Sequence, residues 1–328
     1  MKWIVGMVVA ALPAAALAEG PRPRAGDAGA AIERGLGFLV KDALAWRNKH
    51  KCVSCHHAAL VVWSMQEARQ RGRAVDERVM SDLTKWVAEA GDGKTGVPRP
   101  KGVPQALNAK AVWLALSLGA VPKPNATVQT GLKLLQGTVK SDQTETGAWA
   151  AWPETRPPIF GKSDDSMTAL ATLALLPAAA SGDAGAKVAR DKGIKWLAET
   201  KTDGDPQSVA MRLVLWKKMH RPAQEWQPLA RMIKERQNPD GGWSQAKDMT
   251  SDAWATGQAL YALAHAGIKP DAPVIRRAHA FLIKTQRADG SWPMTSRPLK
   301  AGGQGSTSLI PITGAGSAWA VLGLVRSG

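Results

Sequence analysis

Apolar positions along this chain recur at helical spacing, and segments of two kinds alternate. One kind carries an apolar stripe on an otherwise polar body: Ala30–Val40, Asp76–Ala90, Thr127–Gly137, Ala186–Thr200, Trp226–Arg236 and Val274–Thr285. The other is small, rich in Ala and Leu, and apolar around most of its circumference: Ala58–Arg71, Gln105–Leu118, Ser166–Ala178, Gln207–His220, Ala253–Ala266 and Gly316–Val325. Period-two alternation is nearly absent, so strands are not expected. The pattern predicts an all-α domain in which six helix pairs set an inner ring of buried helices inside an outer amphipathic ring.

The turns inside this pattern repeat. Gln237-Asn238-Pro239-Asp240-Gly241-Gly242-Trp243 returns 49 residues later as Gln286-Arg287-Ala288-Asp289-Gly290-Ser291-Trp292, and Thr146-Gly147-Ala148-Trp149 is a weaker copy 94 residues before Trp243. A period near 47 residues calls for a repeat architecture. The Gln-x-x-Asp-Gly-x-Trp turns resemble the repeats of squalene–hopene cyclases and prenyltransferase β subunits. That resemblance implies an (α/α)6 toroid in which the glutamine and tryptophan brace neighbouring outer helices, making Trp243 and Trp292 structural.

Cyclase chemistry is not expected to come with the fold. Cyclases of the resembled family use an Asp-x-Asp-Asp acid at the start of an inner helix, and the nearest match, Lys162-Ser163-Asp164-Asp165, lacks the first aspartate. Two carboxylates at a helix start are read first as capping and dipole compensation. A second barrel of the kind a triterpene cyclase adds is not expected from the six-pair pattern, and protein prenylation would need a cytosolic partner subunit.

The N-terminus points out of the cytoplasm. Lys2, the apolar stretch Ile4–Leu17 and the Ala16-Leu17-Ala18 ending match a signal peptide of residues 1–18, leaving a single domain over 19–328. The apolar stretch is shorter than the ~20 residues a spanning helix needs. The expectation is therefore a periplasmic or otherwise exported protein without a transmembrane anchor after cleavage.

In that compartment the chain's two cysteines change meaning. They stand in Lys51-Cys52-Val53-Ser54-Cys55-His56-His57, and Cys-x-x-Cys-His is the attachment sequence for c-type haem. Two thioethers reach the two vinyl groups of one porphyrin, while the next residue brings an imidazole to the iron. Cys52 and Cys55 would tether one haem c at 52–56 and His56 would be its proximal ligand. His57 cannot straddle the iron beside His56 and is assigned to a propionate or solvent. Met249 or Met167, at equivalent helix starts, are the distal candidates; His50, Met65, His220, His265 and His279 are weaker ones. Histidine–methionine ligation favours electron transfer, an open sixth position oxygen or peroxide chemistry. A Cys52–Cys55 disulfide, an exchange-active redox pair and a zinc site compete; the redox pair lacks its usual βαβ setting and zinc lacks a second Cys/His pair.

Composition narrows the partners. With 43 Lys+Arg against 27 Asp+Glu the formal charge is +16, or +15 once Lys2 is removed. This suits an acidic redox protein or an electron carrier at a membrane surface. No nucleic-acid module or basic–aromatic interleaving appears, and Ala301–Ser306 lacks the ending of a phosphate loop, so it reads as a surface loop near the haem end. Three functions follow: single-electron transfer, a haem-dependent oxidoreductase holding an apolar, isoprenoid-like substrate in the toroid, or a non-catalytic repeat protein with a disulfide. Tryptophan is strongly overused, 14 against 3 Phe and 1 Tyr, and the turns explain only part of that. Trp46, Trp63, Trp113, Trp254 and Trp319 remain, to pack near haem or between helices.

Overall fold

A computed structural model describes residues 25–50, 52–90, 109–151, 163–297 and 308–328. The signal segment 1–18, the glycine-rich stretch 301–306, Lys162 and the predicted helix start at Gln105 lie outside the described residues. Twelve α-helices are present among the described residues: α1 Ala25–His50, α2 Leu60–Gln70, α3 Glu77–Glu89, α4 Ala109–Gly119, α5 Ala126–Ser141, α6 Asp164–Ala180, α7 Ala184–Glu199, α8 Pro206–Lys218, α9 Ala223–Glu235, α10 Ala253–His265, α11 Pro273–Thr285 and α12 Ile310–Ser327. A single π-helical turn, Cys55–Ala59, precedes α2.

The even-numbered helices are the apolar ones, and each packs on the next, with α2 touching both α4 and α12, so the inner ring closes. The odd-numbered helices lie outside and bury one stripe each, as Met80, Leu83 and Val87 do on α3. Helix starts follow side-chain capping: Asp76, Asn125, Ser163, Asp183, Asp205 and Asp252 each accept backbone N–H groups of the first turn. Most elements match the sequence reading within a few residues. The exceptions are α1, which runs ten residues past the expected end at Val40 because Lys41–His50 contains no Pro or Gly and packs Ala43 and Leu44 on the core, and α12, which starts six residues before Gly316.

The repeat turns perform the bracing that the resemblance implied, and the weaker copy performs it equally. Trp149, Trp243 and Trp292 each donate the indole N–H at 2.7 Å to the carbonyl ten residues earlier, of Val139, Ile233 and Leu282. Their backbone N–H groups donate at 3.0 Å to Thr168, Thr256 and Ser317 on the paired inner helix. Gln143, Gln237 and Gln286 each donate to a carbonyl within their own turn and to one on the next outer helix, those of Ala189, Val274 and Ala31. The last of these bonds joins residue 286 to residue 31 and so closes the outer ring. Gly147, Gly241 and Gly290 hold φ of 93°, 90° and 88°, and a Cβ there would strike the backbone of Lys192, Arg277 or Arg34 at 2.8 Å or less. Only glycine admits both the conformation and the approach.

Four of the five unexplained tryptophans fill the toroid axis. Trp63, Trp113, Trp254 and Trp319, with Tyr261, meet edge-to-face with centroids 5.4 to 6.3 Å apart. Trp113 on α4 touches Trp254 on α10; these helices stand opposite one another in the ring, so the contact crosses the axis. This is where the tryptophan excess goes.

Candidate functional site

The Cys-x-x-Cys-His segment lies at the start of inner helix α2, packed against α1, α3, α4 and α12. Ser54 adopts extended backbone and caps the π turn: its Oγ accepts from His57 N–H at 3.0 Å, and its carbonyl accepts from both Ala58 and Ala59 at 3.2 Å. The wider π turn is a feature found often at functional sites. Cys52 is exposed and Cys55 is buried; both are free thiols. Burial pushes the Cys55 thiol up to about 12, so at neutral pH it is S–H. Lys110 at the start of α4 carries its ammonium near both sulfurs, and burial lowers its pKa.

The motif is held by the extra turns of α1. Asp42, Trp46 and His50 are spaced four residues apart and share one helix face. Trp46 donates its indole N–H to the Cys52 carbonyl at 3.1 Å and stacks on the rings of both His50, at 4.0 Å, and His57, at 4.2 Å with planes 6° apart. His56 meets the edge of Trp46 at 5.0 Å. Burial, then the neighbouring His57, His50 and Lys110, lower the His56 pKa to about 3, which leaves the imidazole neutral. Its Nδ1 contacts Ser54 Oγ at 3.4 Å and the Nδ1 of His57. His57 is fully buried, with Nε2 3.0 Å from Asp42 Oδ2. Gly314 on α12 makes room for this contact, since a Cβ there would lie 3.1 Å from Asp42 Oδ2 and 3.5 Å from the His57 ring.

The donor set that a covalently held haem would use is thus two free thiols three residues apart in sequence, one exposed and one buried, followed by a neutral imidazole contacted at Nδ1. Among the described residues no group of three or more His, Cys, Asp or Glu side chains is placed to hold a metal ion by protein ligands alone. Met167 is buried in α6, and Met249 lines a separate cavity of about 450 Å³ with Trp243, Ile233 and Arg236. The motif's own neighbours come instead from α1, α3, α4 and α12. Of the weaker candidates, Met65 is buried in α2, His265 meets Arg326 and Tyr261 at the end of α10, and His279 meets Ser327 at 2.7 Å. The sequence reading missed Asp42, Lys110 and Gly314; of the five tryptophans it left between haem and helix packing, Trp46 is the one at the motif. The four-residue spacing of Asp42, Trp46 and His50 was the available signal, hidden by ending the first helix at Val40.

The carboxylates that resemble a cyclase acid are divided between structural tasks. Asp165 is buried in a two-bond pair with Arg212, at 2.7 and 2.9 Å, and accepts from Asp203 N–H. Arg212 also donates to the carbonyls of Leu197 and Thr200, tying α7 to α8 in a repeat whose turn carries no tryptophan. Asp164 accepts from Ala151 N–H at 2.8 Å, and Ser163 supplies the cap.

Comparison with known proteins agrees with this architecture. Residues 189–295 match the squalene-hopene cyclase N-terminal domain. A squalene–hopene cyclase of Bradyrhizobium diazoefficiens is 31% identical over 96 residues, a stretch covering 29% of this chain and 14% of that enzyme. The structure of type II terpene cyclase MstE from Scytonema superposes with a TM-score of 0.59 at 14% identity, covering 92% of this chain and 98% of that one. A glycosyl hydrolase family 88 protein of Bacteroides vulgatus superposes at 0.57 and 13% identity, covering 90% and 99%. Cyclases and hydrolases thus share one scaffold with this chain: it is an all-α (α/α)6 toroid of terpene-cyclase-like fold, with a squalene–hopene cyclase-like segment in its second half.

Proposed function

We propose that this chain is an exported c-type haem protein that passes single electrons to or from a redox partner. The observation that carries the reading is the Cys52-x-x-Cys55-His56 segment at the start of an inner helix, with His56 neutral and contacted at Nδ1. In haem attachment each thiol adds across one vinyl group, forming a carbon–sulfur bond and placing hydrogen on the neighbouring carbon. Cys52 and Cys55 would hold the macrocycle, and His56 would ligate iron through Nε2. When bound, haem supplies a one-electron ferric/ferrous couple. The chain's part is to fix His56 against Trp46, to keep the Cys55 side dry, and to present a basic surface to an acidic partner. Export, expected from residues 1–18, places the chain where covalent haem attachment occurs in bacteria. Met167 and Met249 stay candidates for the sixth position.

The alternative of an isoprenoid-like substrate inside the toroid is less well supported, because indoles that touch across the axis occupy the space a cyclase-type chamber would need. The experiment is expression with haem-maturation machinery, followed by spectra of the denatured, reduced protein. Haem retained in wild type and altered in Cys55→Ala supports the proposal; a protein without covalent haem, and a Cys55→Ala variant spectroscopically identical to it, refutes it. Fast carbon monoxide binding by the reduced protein would turn the reading from electron transfer toward oxygen or peroxide chemistry.

A further inference from the structure

We infer that His57, braced by Asp42, is the positioning residue that decides which nitrogen of His56 is free to bind iron. The consequence for iron rests on the haem reading above; the tautomer itself does not. The two histidines are adjacent in sequence yet have different surroundings. His57 is fully buried between Trp46 and α12, and the Asp42 carboxylate lies 3.0 Å from its Nε2. The approach lies off the N–H axis, so the pair is a close contact short of a straight hydrogen bond. A carboxylate only accepts, and turning a nitrogen lone pair toward it at this distance is repulsive. The hydrogen of a singly protonated His57 ring therefore resides on Nε2, which leaves Nδ1 bare.

That bare Nδ1 faces the Nδ1 of His56. Two lone pairs cannot share the contact, so the ring hydrogen of His56 sits on Nδ1 and is directed at His57. This leaves the lone pair on Nε2, the nitrogen iron needs, and reverses the tautomer that free histidine prefers. Asp42, His57 and His56 thus form a carboxylate–histidine–histidine series. It is related in logic to the carboxylate–histidine pairs that orient metal-bound imidazoles, with one ring interposed. Trp46 fixes the plane of His57 by stacking, and the missing side chain at Gly314 leaves room for the Asp42–His57 contact. A hydrogen bond donated by a ligand's far nitrogen makes that ligand a stronger electron donor, so the series would also lower the reduction potential of a bound haem.

Two readouts separate this inference from the haem reading. First, the full chain is made without haem maturation, labelled with nitrogen-15 and kept under reducing agent. Long-range nitrogen–hydrogen spectra are then recorded for wild type, His57→Phe, which keeps a ring against Trp46, and Asp42→Ala, which alters only a partly exposed helix residue. The inference requires His56 to carry its hydrogen on Nδ1 in wild type and to move toward the Nε2–H form in both variants. A wild-type His56 in the Nε2–H form, or one unchanged in the variants, overturns it; if His57→Phe does not fold, Asp42→Ala decides. Second, in the haem-loaded protein His57→Phe should make reduction at least tenfold more favourable, ~59 mV for one electron. An unchanged potential with haem still attached overturns the tuning and leaves the haem reading intact. No covalent haem overturns the haem reading, while the first readout still decides the tautomer.

Discussion

Closure of the outer ring at the Gly290 turn can be measured against a control within the same chain. Gly290 and Gly267 have nearly the same backbone, with φ of 88° and 83°. A Cβ at Gly267 meets nothing within 4 Å, whereas at Gly290 it falls 2.2 Å from the Arg34 carbonyl oxygen and 2.8 Å from its carbon. Gly267→Ala therefore reports the left-handed conformation alone, roughly 1–2 kcal/mol, reduced by a few tenths because alanine also restricts the unfolded chain. Gly290→Ala carries the same conformational cost and must also push α1 away from the turn. Overpacking against backbone adds about 1–3 kcal/mol, and the Gln286 bond to the Ala31 carbonyl adds about 1 kcal/mol if it is lost. The expected difference between the two variants is about 2–4 kcal/mol, read from urea unfolding followed by tryptophan fluorescence with matched slopes. Equal losses at the two positions, or a larger loss for Gly267→Ala, would refute the closure argument.

Asp165→Ala should destabilise by about 3–5 kcal/mol, because it strands the buried Arg212 guanidinium, whereas the double replacement Asp165→Leu/Arg212→Met should recover most of that loss in the same urea assay. Trp113→Ala should lower stability by about 3–5 kcal/mol, since it removes an indole that reaches across the axis; a loss below 1 kcal/mol in thermal melting would contradict the filled axis. Burial holds His265 down at about 2 and His279 at about 4. Folded pKa values below the unfolded one near 6.5 give stability that is present above pH 6.5 and is lost as pH falls. Burial raises Asp252 to about 6, and this works oppositely: its contribution is present below the unfolded pKa near 3.8 and is lost as pH rises to 6, on the order of 3 kcal/mol in all. Urea midpoints should therefore fall from pH 7.5 to pH 5, and fall more steeply in Asp252→Asn; a flatter profile in that variant would contradict the assignment.

Periodicity and turn chemistry make the fold legible in the sequence. The inner helices were recognisable because burial on every side forces Ala and Leu around the whole circumference, as in Leu170–Leu175, and the turns because glycine, glutamine and tryptophan each have a task no other residue performs there. The Trp149 turn looks weak in sequence because its glutamine, Gln143, lies outside the short matching stretch although it makes both of its bonds. The Cys-x-x-Cys-His segment was visible because its chemistry is local in sequence. Its setting was not: Gly314 joins it through the closure of the ring, across more than 250 residues. Lys110 arrives from the next inner helix, and Asp42 and Trp46 lie on the turns of α1 beyond Val40, where the sequence pattern ends the helix. The axial tryptophans were equally unreadable, since an indole on an inner helix looks the same in sequence whether it meets its neighbour or the helix opposite.

The central claim is that this toroid carries a haem through Cys52, Cys55 and His56, and the intact mass of the exported chain tests it most directly. Expressed with haem-maturation machinery and denatured, wild type should weigh one haem more than the mature polypeptide and keep its reduced visible spectrum, while the Cys52→Ala/Cys55→Ala variant should show neither. A wild-type chain that matures, folds and carries only the mass of its polypeptide would contradict the account.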